Sequence, residues 1–236
     1  EAAGETVYLC AFTGKAAARV REATDHEAST IHRLLKWNGE RFTVGSLRDG
    51  TVIADEASMI SSSLLAEIVR RSPRRLVLVG DEAQLPPVGS GQPFHDLIRM
   101  QPGLVSNLTT CYRSRQAVFK AASIIRRGEI PARVDRTSEE TWEMRETGGA
   151  RTTHECILGM VRAGEIDFRR DIILSPRNED ESNSAAAITP LNRDIVNIVN
   201  PRPAGERFLP GDRVINTKNN AELDIWNGTT GTVQAI

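Results

Sequence analysis

At 236 residues, with 39% hydrophobic content and mixed charge, the chain reads as globular and long enough for one large domain or two ordinary ones. A formal net charge of −1 argues against a protein that coats nucleic acid by bulk electrostatics, although a local basic groove on a neutral body stays possible. No run approaches a membrane span, and Cys10, Cys111 and Cys156 stand far apart in no C-x-x-C pairing, which favours reduced thiols in a cytoplasmic setting over a disulfide framework or a zinc site.

No charged-then-apolar leader opens the chain, which runs at once into a strand at Thr6 to Ala11, so a domain whose first elements lie upstream is expected. A Thr-Gly turn and an Ala-rich helix follow. Ser29 is the expected start of a helix through Thr-Ile-His-Arg-Leu-Leu. Lys36 to Gly50, with Asn38-Gly39 and Asp49-Gly50 around Arg-Phe-Thr-Val, reads as a small inserted hairpin. Further strands are predicted at Thr51 to Asp55, Arg75 to Gly80, Leu104 to Leu108 and Asp171 to Ser175. Ser61 and Pro93 mark helix starts, and Gly128 ends a long helix over Ser114 to Arg127. Asp135 to Arg151 reads as an exposed connection. The tail from Glu206, with Pro210-Gly211-Asp212 and Asn227-Gly228-Thr-Thr-Gly231, suits short strands and tight turns. The alternation of apolar runs with helical segments is an α/β pattern, and the expected divisions are residues 1–108, 109–204 and 205–236.

Thr13-Gly14-Lys15 invites comparison with the phosphate-binding pattern G-x-x-x-x-G-K-[ST], in which backbone N–H groups wrap phosphates and the hydroxyl holds magnesium. Leu9 stands at the first glycine position and Ala16 at the hydroxyl position, so the pattern fails. What remains is a helix start offering N–H groups and one lysine to an anion. Thr51-Val-Ile-Ala-Asp-Glu ends a strand in two carboxylates, and ligands of open α/β sheets sit beyond such strand ends. Asp55 there can hold phosphate-bound magnesium and Glu56 can deprotonate a water; an acidic helix cap is the plainer alternative. Arg75 to Gly80 runs into Asp81-Glu-Ala-Gln84-Leu-Pro-Pro, where Gln84 can bond a terminal phosphate without adding negative charge.

Taken in order, T-G-K-A-A, S-T-I-H-R-L-L, V-I-A-D-E-A-S-M-I, L-V-L-V-G-D-E-A-Q-L-P-P-V-G-S-G, Y-R-S and G-D-R-V-I…N-G-T-T-G-T-V resemble a RecD-type superfamily 1 DNA helicase, the exodeoxyribonuclease V alpha subunit family. The resemblance is strongest from Val7 to Arg127. It implies RecA-like parallel sheets of the P-loop NTPase helicase fold, 1–108 being a first such domain with a hairpin at 36–50, 109–204 part of a second, and 205–236 the start of a src-homology-3-like β-barrel. It implies a motor that uses ATP and Mg2+ to move 5′ to 3′ on single-stranded DNA and open single/double-strand junctions, with other recombination or nuclease subunits as possible partners. Carried onto this sequence, Asp55 is the magnesium ligand, Glu56 the catalytic carboxylate, Gln84 the γ-phosphate sensor and Arg113 an arginine finger. Thr13, Gly14 and Lys15 match one contact with the strand, and Thr30 with His32 a second; packing at a helix start is the other reading of His32. The hairpin stands where relatives carry a strand-separating pin, but Trp37 or Phe42 could as easily be core.

Against the family pattern, the P-loop expected before Thr6 and the last motif are missing, which suggests an internal fragment of a longer helicase. Phe12 stands where relatives usually have proline, and the acidic run Glu179, Asp180 and Glu181 replaces a basic loop and is expected to face solvent. Arg70-Arg71-Ser-Pro-Arg74-Arg75 reads as a solvated helix end. Two rival readings stay open: a catalytically silent DNA-binding or scaffold subunit, and the helicase module of a conjugative relaxase.

Overall fold

The computed structural model describes residues 4–110, 112, 117–136, 141–178, 185–220, 223 and 225–235. It divides into two compact units, one of Glu1–Thr110 with Asn216–Thr229 and one of Cys111–Ile215 with Thr230–Ile236.

The first unit is built on a parallel four-stranded sheet. β1 (Thr6–Ala11), β2 (Ala28–Thr30), β3 (Gly50–Asp55) and β4 (Arg75–Leu78) stand in the order β2-β1-β3-β4. Such strands are flanked by crossover helices, which is why Val52 and Ala54 are wholly buried. Helix α1 (Gly14–Thr24) buries only Gly14 and Ala17, small residues that let its backbone lie close to its neighbours. After the single turn α2 (Ile31–Leu34), the longer α3 (Ser62–Arg70) turns Leu64 and Ile68, four residues apart, to the core. Its N-cap is Ser61, whose hydroxyl accepts from Leu64 N–H at 3.4 Å. Pro93 opens α4 (Pro93–Met100), which contributes Phe94. Ile31, Leu35, Val52, Ile60, Leu64, Ile68 and Phe94 belong to one core.

Two predicted strands do not form. Leu104 closes a 3-10 turn over Pro102–Leu104 and residues 105–108 carry no strand. Asp171 to Ser175 is likewise irregular. Both have strand-like composition, but a strand exists only when its N–H and C=O groups meet a neighbour's. Without one, Leu104, Leu108 and Leu174 are 85%, 93% and 83% exposed. The strand expected to reach Gly80 stops at Leu78, and β2 was not foreseen. The hairpin at 36–50 reduces to one antiparallel bridge, Trp37 with Phe42.

In the second unit, the stretch expected to be an exposed connection contains a hairpin of β5 (Val134–Arg136) and β6 (Thr141–Glu143) and the start of α6 (Ala150–Arg162). A helix α5 (Ala117–Arg126) precedes the hairpin and is followed by Gly128 at φ 78°. Leu158 and Val161 of α6 pack with Leu191 and Ile195 of α7 (Ile188–Val199). In the tail, β7 (Arg213–Ile215) pairs antiparallel with β8 (Thr230–Thr232).

Asp212, just before β7, is a polar staple of this unit. It accepts from Leu209 N–H at 2.9 Å, from Asn200 Nδ2 at 2.9 Å and from Arg202 Nη2 at 2.8 Å. Burial alone would raise its pKa, but these donors and the guanidinium charge more than offset it and hold the carboxyl below the usual value. A carboxyl whose pKa is lower in the fold than in the unfolded chain, where it is about 3.9, adds stability that is complete above that value. The contribution is lost as pH falls through the lower, folded value. Thermal unfolding followed from neutral pH into the acid range should therefore show a steeper loss of stability for the native chain than for Asp212→Asn.

Candidate functional site

The sheet register gathers the expected site residues at one edge. Ala11 at the end of β1 pairs with Thr30 on one side and with Asp55 on the other. The turns that leave these three strand ends carry Thr13-Gly14-Lys15, Thr30 to His32, and Asp55-Glu56. Parallel strands place such ends together because every crossover returns the chain in the same direction.

Each turn is shaped locally. Thr13 is the N-cap of α1 and its Oγ1 accepts from Ala16 N–H at 3.2 Å. Thr30 caps α2 in the same way, accepting from Arg33 N–H at 3.2 Å. The cap expected at Ser29 therefore belongs to Thr30. Each hydroxyl spends an acceptor on its helix and keeps an O–H to donate outward. Lys15 is exposed. His32 is exposed as well, its ring 5.7 Å from that of Phe42.

Asp55 is half-buried at the end of β3, and Glu56 adopts φ 54°, ψ 41°, in the left-handed region. For a residue with a Cβ this costs about 1 kcal/mol, and such strain persists where surrounding contacts fix it. The fixing contacts are visible. Val79 N–H donates to the Ala54 carbonyl at 2.8 Å and Ala57 N–H donates to the Val79 carbonyl at 2.9 Å, tying the turn after β3 to the exit of β4. Gly80 completes that exit because a Cβ there would press to 3.1 Å on the backbone nitrogens of Ala57 and Ser58. Ser58 itself is buried, and its hydroxyl has no partner among the described residues.

Beyond Gly80, Asp81 accepts from Ala83 N–H at 3.0 Å through its side chain and from Gln84 N–H at 3.1 Å through its carbonyl. Gln84 is exposed, and no hydrogen bond or ion pair among the described residues joins it to Asp55 or Glu56. Arg113 and the acidic run at Glu179, Asp180 and Glu181 lie outside the described residues.

An aromatic-walled groove of about 600 Å³ adjoins this edge, with Phe12, His32, Trp37 and Phe42 among its lining residues. Phe42 and Phe12 pack against the core, whereas Trp37 is 45% exposed. The position of this hairpin depends on a residue that sequence reasoning assigned to solvent. Arg71, its side chain only 11% exposed, donates to the carbonyls of Phe42 at 3.0 Å and Val44 at 3.3 Å, and pairs with Glu67. The two arginines Arg71 and Arg70 hold the Glu67 carboxyl below its usual pKa. Arg71 sits in a run of helix-end arginines, and nothing local distinguishes it from Arg70. Cys10 is buried beneath the edge, with its thiol pushed up to about 12 by that burial, so it packs as a small apolar group.

The sequence model of the AAA domain family matches residues 1–143, well over half of the chain, and the chain belongs to that family. Three curated proteins refine the likeness. The ATP-dependent RecD2 DNA helicase of Deinococcus radiodurans is 34% identical over 245 residues, a match covering 99% of this chain and 33% of that protein. The probable conjugal transfer protein TraA of Sinorhizobium fredii is 31% identical, with 99% and 22% covered. The RecBCD enzyme subunit RecD of Mycolicibacterium smegmatis is 27% identical, with 97% and 48% covered. The RecD-type resemblance expected from the ordered motifs is borne out, and the chain spans half or less of the length of these relatives.

Proposed function

We propose that the chain is part of an ATP-dependent DNA helicase that moves on single-stranded DNA and opens single/double-strand junctions. The observation that carries this reading is the pairing of Ala11 with both Thr30 and Asp55, which sets hydroxyls and a lysine beside an acidic strand end. Polar groups, helix-start N–H groups and one ammonium hold a sugar-phosphate backbone without reading bases.

The residues fit magnesium-bound nucleotide in part. Asp55 supplies a strand-end carboxylate for Mg2+, Glu56 is held for proton transfer, and the Ser58 hydroxyl two residues on is buried with no partner among the described residues. The chain has no G-x-x-x-x-G-K-[ST], so a cradle for the outer phosphates must come from elsewhere. Bound ATP would supply the driving free energy; the chain's own residues hold the metal, orient a water through Glu56, and report the terminal phosphate through Gln84. Arg113 is assigned to that phosphate on its match to the family motif. We assign Thr13, Gly14, Lys15, Thr30 and His32 to the strand.

No helix among the described residues is long and apolar enough to cross a membrane. We assign the chain to the cytoplasm on its three cysteines, which stand far apart in no C-x-x-C pairing. The match to a RecBCD subunit supports recombination or nuclease subunits as partners, while the match to a TraA protein supports the relaxase-module reading as a second possibility.

The test is binding of fluorescent poly-dT to the chain at two salt concentrations. Binding should weaken steeply with salt, and Lys15→Ala should weaken it further and lower the slope by about 1. Absence of binding at low salt would refute the reading.

A further inference from the structure

The Asn216–Thr229 segment belongs to the first unit, and its Trp226 and Gly228 rest on the Thr13-Gly14-Lys15 turn. Trp226 lies against Gly14 so closely that a Cβ at position 14 would stand 2.6 Å from Trp226 Cδ2 and 3.1 Å from its Cγ. Only glycine fits beneath the indole. Beside it, Lys15 Nζ donates to the Gly228 carbonyl at 3.4 Å. Polar side chains of the segment bind the backbone around Trp226. Asn216 Nδ2 donates to the Trp226 carbonyl at 3.1 Å, Trp226 N–H to Thr229 Oγ1 at 3.2 Å, and Asn227 N–H to Asn219 Oδ1 at 2.8 Å. Asn220 and Ile225 exchange both backbone bonds, at 2.7 and 2.9 Å. These bonds fix the backbone that carries the indole.

This contact is not optimised for permanence. Trp226 Nε1 is buried with no partner among the described residues. A buried N–H without an acceptor is penalised, because in water it would be bonded. The lysine bond is long and exposed, so it adds little. The indole's apolar contact with the turn is the main attachment among the described residues.

We propose that Trp226 and Gly228 form a latch over Gly14 and Lys15, and that single-stranded DNA and the latch compete for this turn. The inference rests on the reading of Thr13, Gly14 and Lys15 as a strand contact. A phosphate drawn to Lys15 takes the ammonium from the Gly228 carbonyl, and a backbone approaching Gly14 requires the indole to leave. Release also returns Trp226 Nε1 to water. Because only the open fraction of molecules can bind, the latch lowers the apparent affinity by that fraction.

The competition is testable on the 236-residue chain with a fluorescein-labelled oligo-dT. Trp226→Ala should bind it about fivefold more tightly, as expected if roughly a fifth of the native molecules are open. A second protein, Trp37→Phe/Trp142→Phe, leaves Trp226 as the sole tryptophan. Its emission should move to longer wavelength, and its quenching by acrylamide should rise, as unlabelled oligo-dT is added. Equal or weaker binding by a folded Trp226→Ala, or a Trp226 emission indifferent to saturating oligonucleotide, overturns the latch. Should Trp226→Ala fail to fold, the emission experiment decides alone. If the native chain and Trp226→Ala both fail to bind oligo-dT at low salt, the DNA reading itself falls and the latch with it; binding without a Trp226 response overturns the latch only.

Discussion

Glu56→Gln should lower ATP turnover in the intact protein by on the order of 10³-fold while leaving nucleotide binding in place. Glutamine preserves the size of the side chain, but it replaces one acceptor oxygen with an NH2 donor and removes the negative charge, and with it the ability to take a proton from water. The left-handed backbone at Glu56 makes this more than a motif assignment. Strain of about 1 kcal/mol at a non-glycine residue is maintained here by two backbone bonds to the exit of β4. Turnover measured with and without the substitution, beside nucleotide binding by both proteins, separates proton transfer from affinity. Unchanged turnover would remove Glu56 from the chemistry and leave its conformation a feature of the turn.

Ile68→Ala should destabilise the first unit by about 3 kcal/mol. Ile68 is wholly buried on the core face of α3, one helical turn from Leu64, in the cluster that includes Val52, Ile60 and Phe94. Truncation forfeits the transfer free energy of the removed carbons and leaves a cavity the surrounding side chains fill only partly. The next residues of the helix lead to Arg71, which holds the hairpin through Phe42 and Val44, so loosening here should reach the groove as well. Urea unfolding followed by circular dichroism measures the loss. A change below about 1 kcal/mol would mean that the site collapses around the cavity and that this cluster is not the stabilising centre of the unit.

What could be read from the sequence was what local chemistry decides. Thr6 to Ala11, the Ser61 cap and the Pro93 helix start follow from apolar runs, a hydroxyl before a helical pattern, and a fixed φ at a first turn. The candidate site residues Thr13, Thr30 and Asp55 were legible as motifs, and the register of β1 with β2 and β3 brings their turns to one edge. What depends on a distant partner was not legible. Ala28-Ser29-Thr30 has no apolar run and is a strand only because β1 lies beside it. Leu104 to Leu108 and Asp171 to Ser175 have the composition of strands and no ladder to join. Arg71 resembles its neighbours in sequence and differs only in the carbonyls it meets. Trp226 and Gly14 are far apart along the chain, and no pattern at either position announces the other.

The proposed path of single-stranded DNA runs over the turns leaving β1 and β2. Hydrogen exchange of the backbone amides, compared with and without saturating poly-dT, locates the contact directly. Slower exchange on DNA binding is expected at Gly14 and Lys15 and at Ile31 and His32, the helix-start N–H groups beside the Thr13 and Thr30 caps. Protection confined to other parts of the chain, with these four amides unchanged, would contradict it.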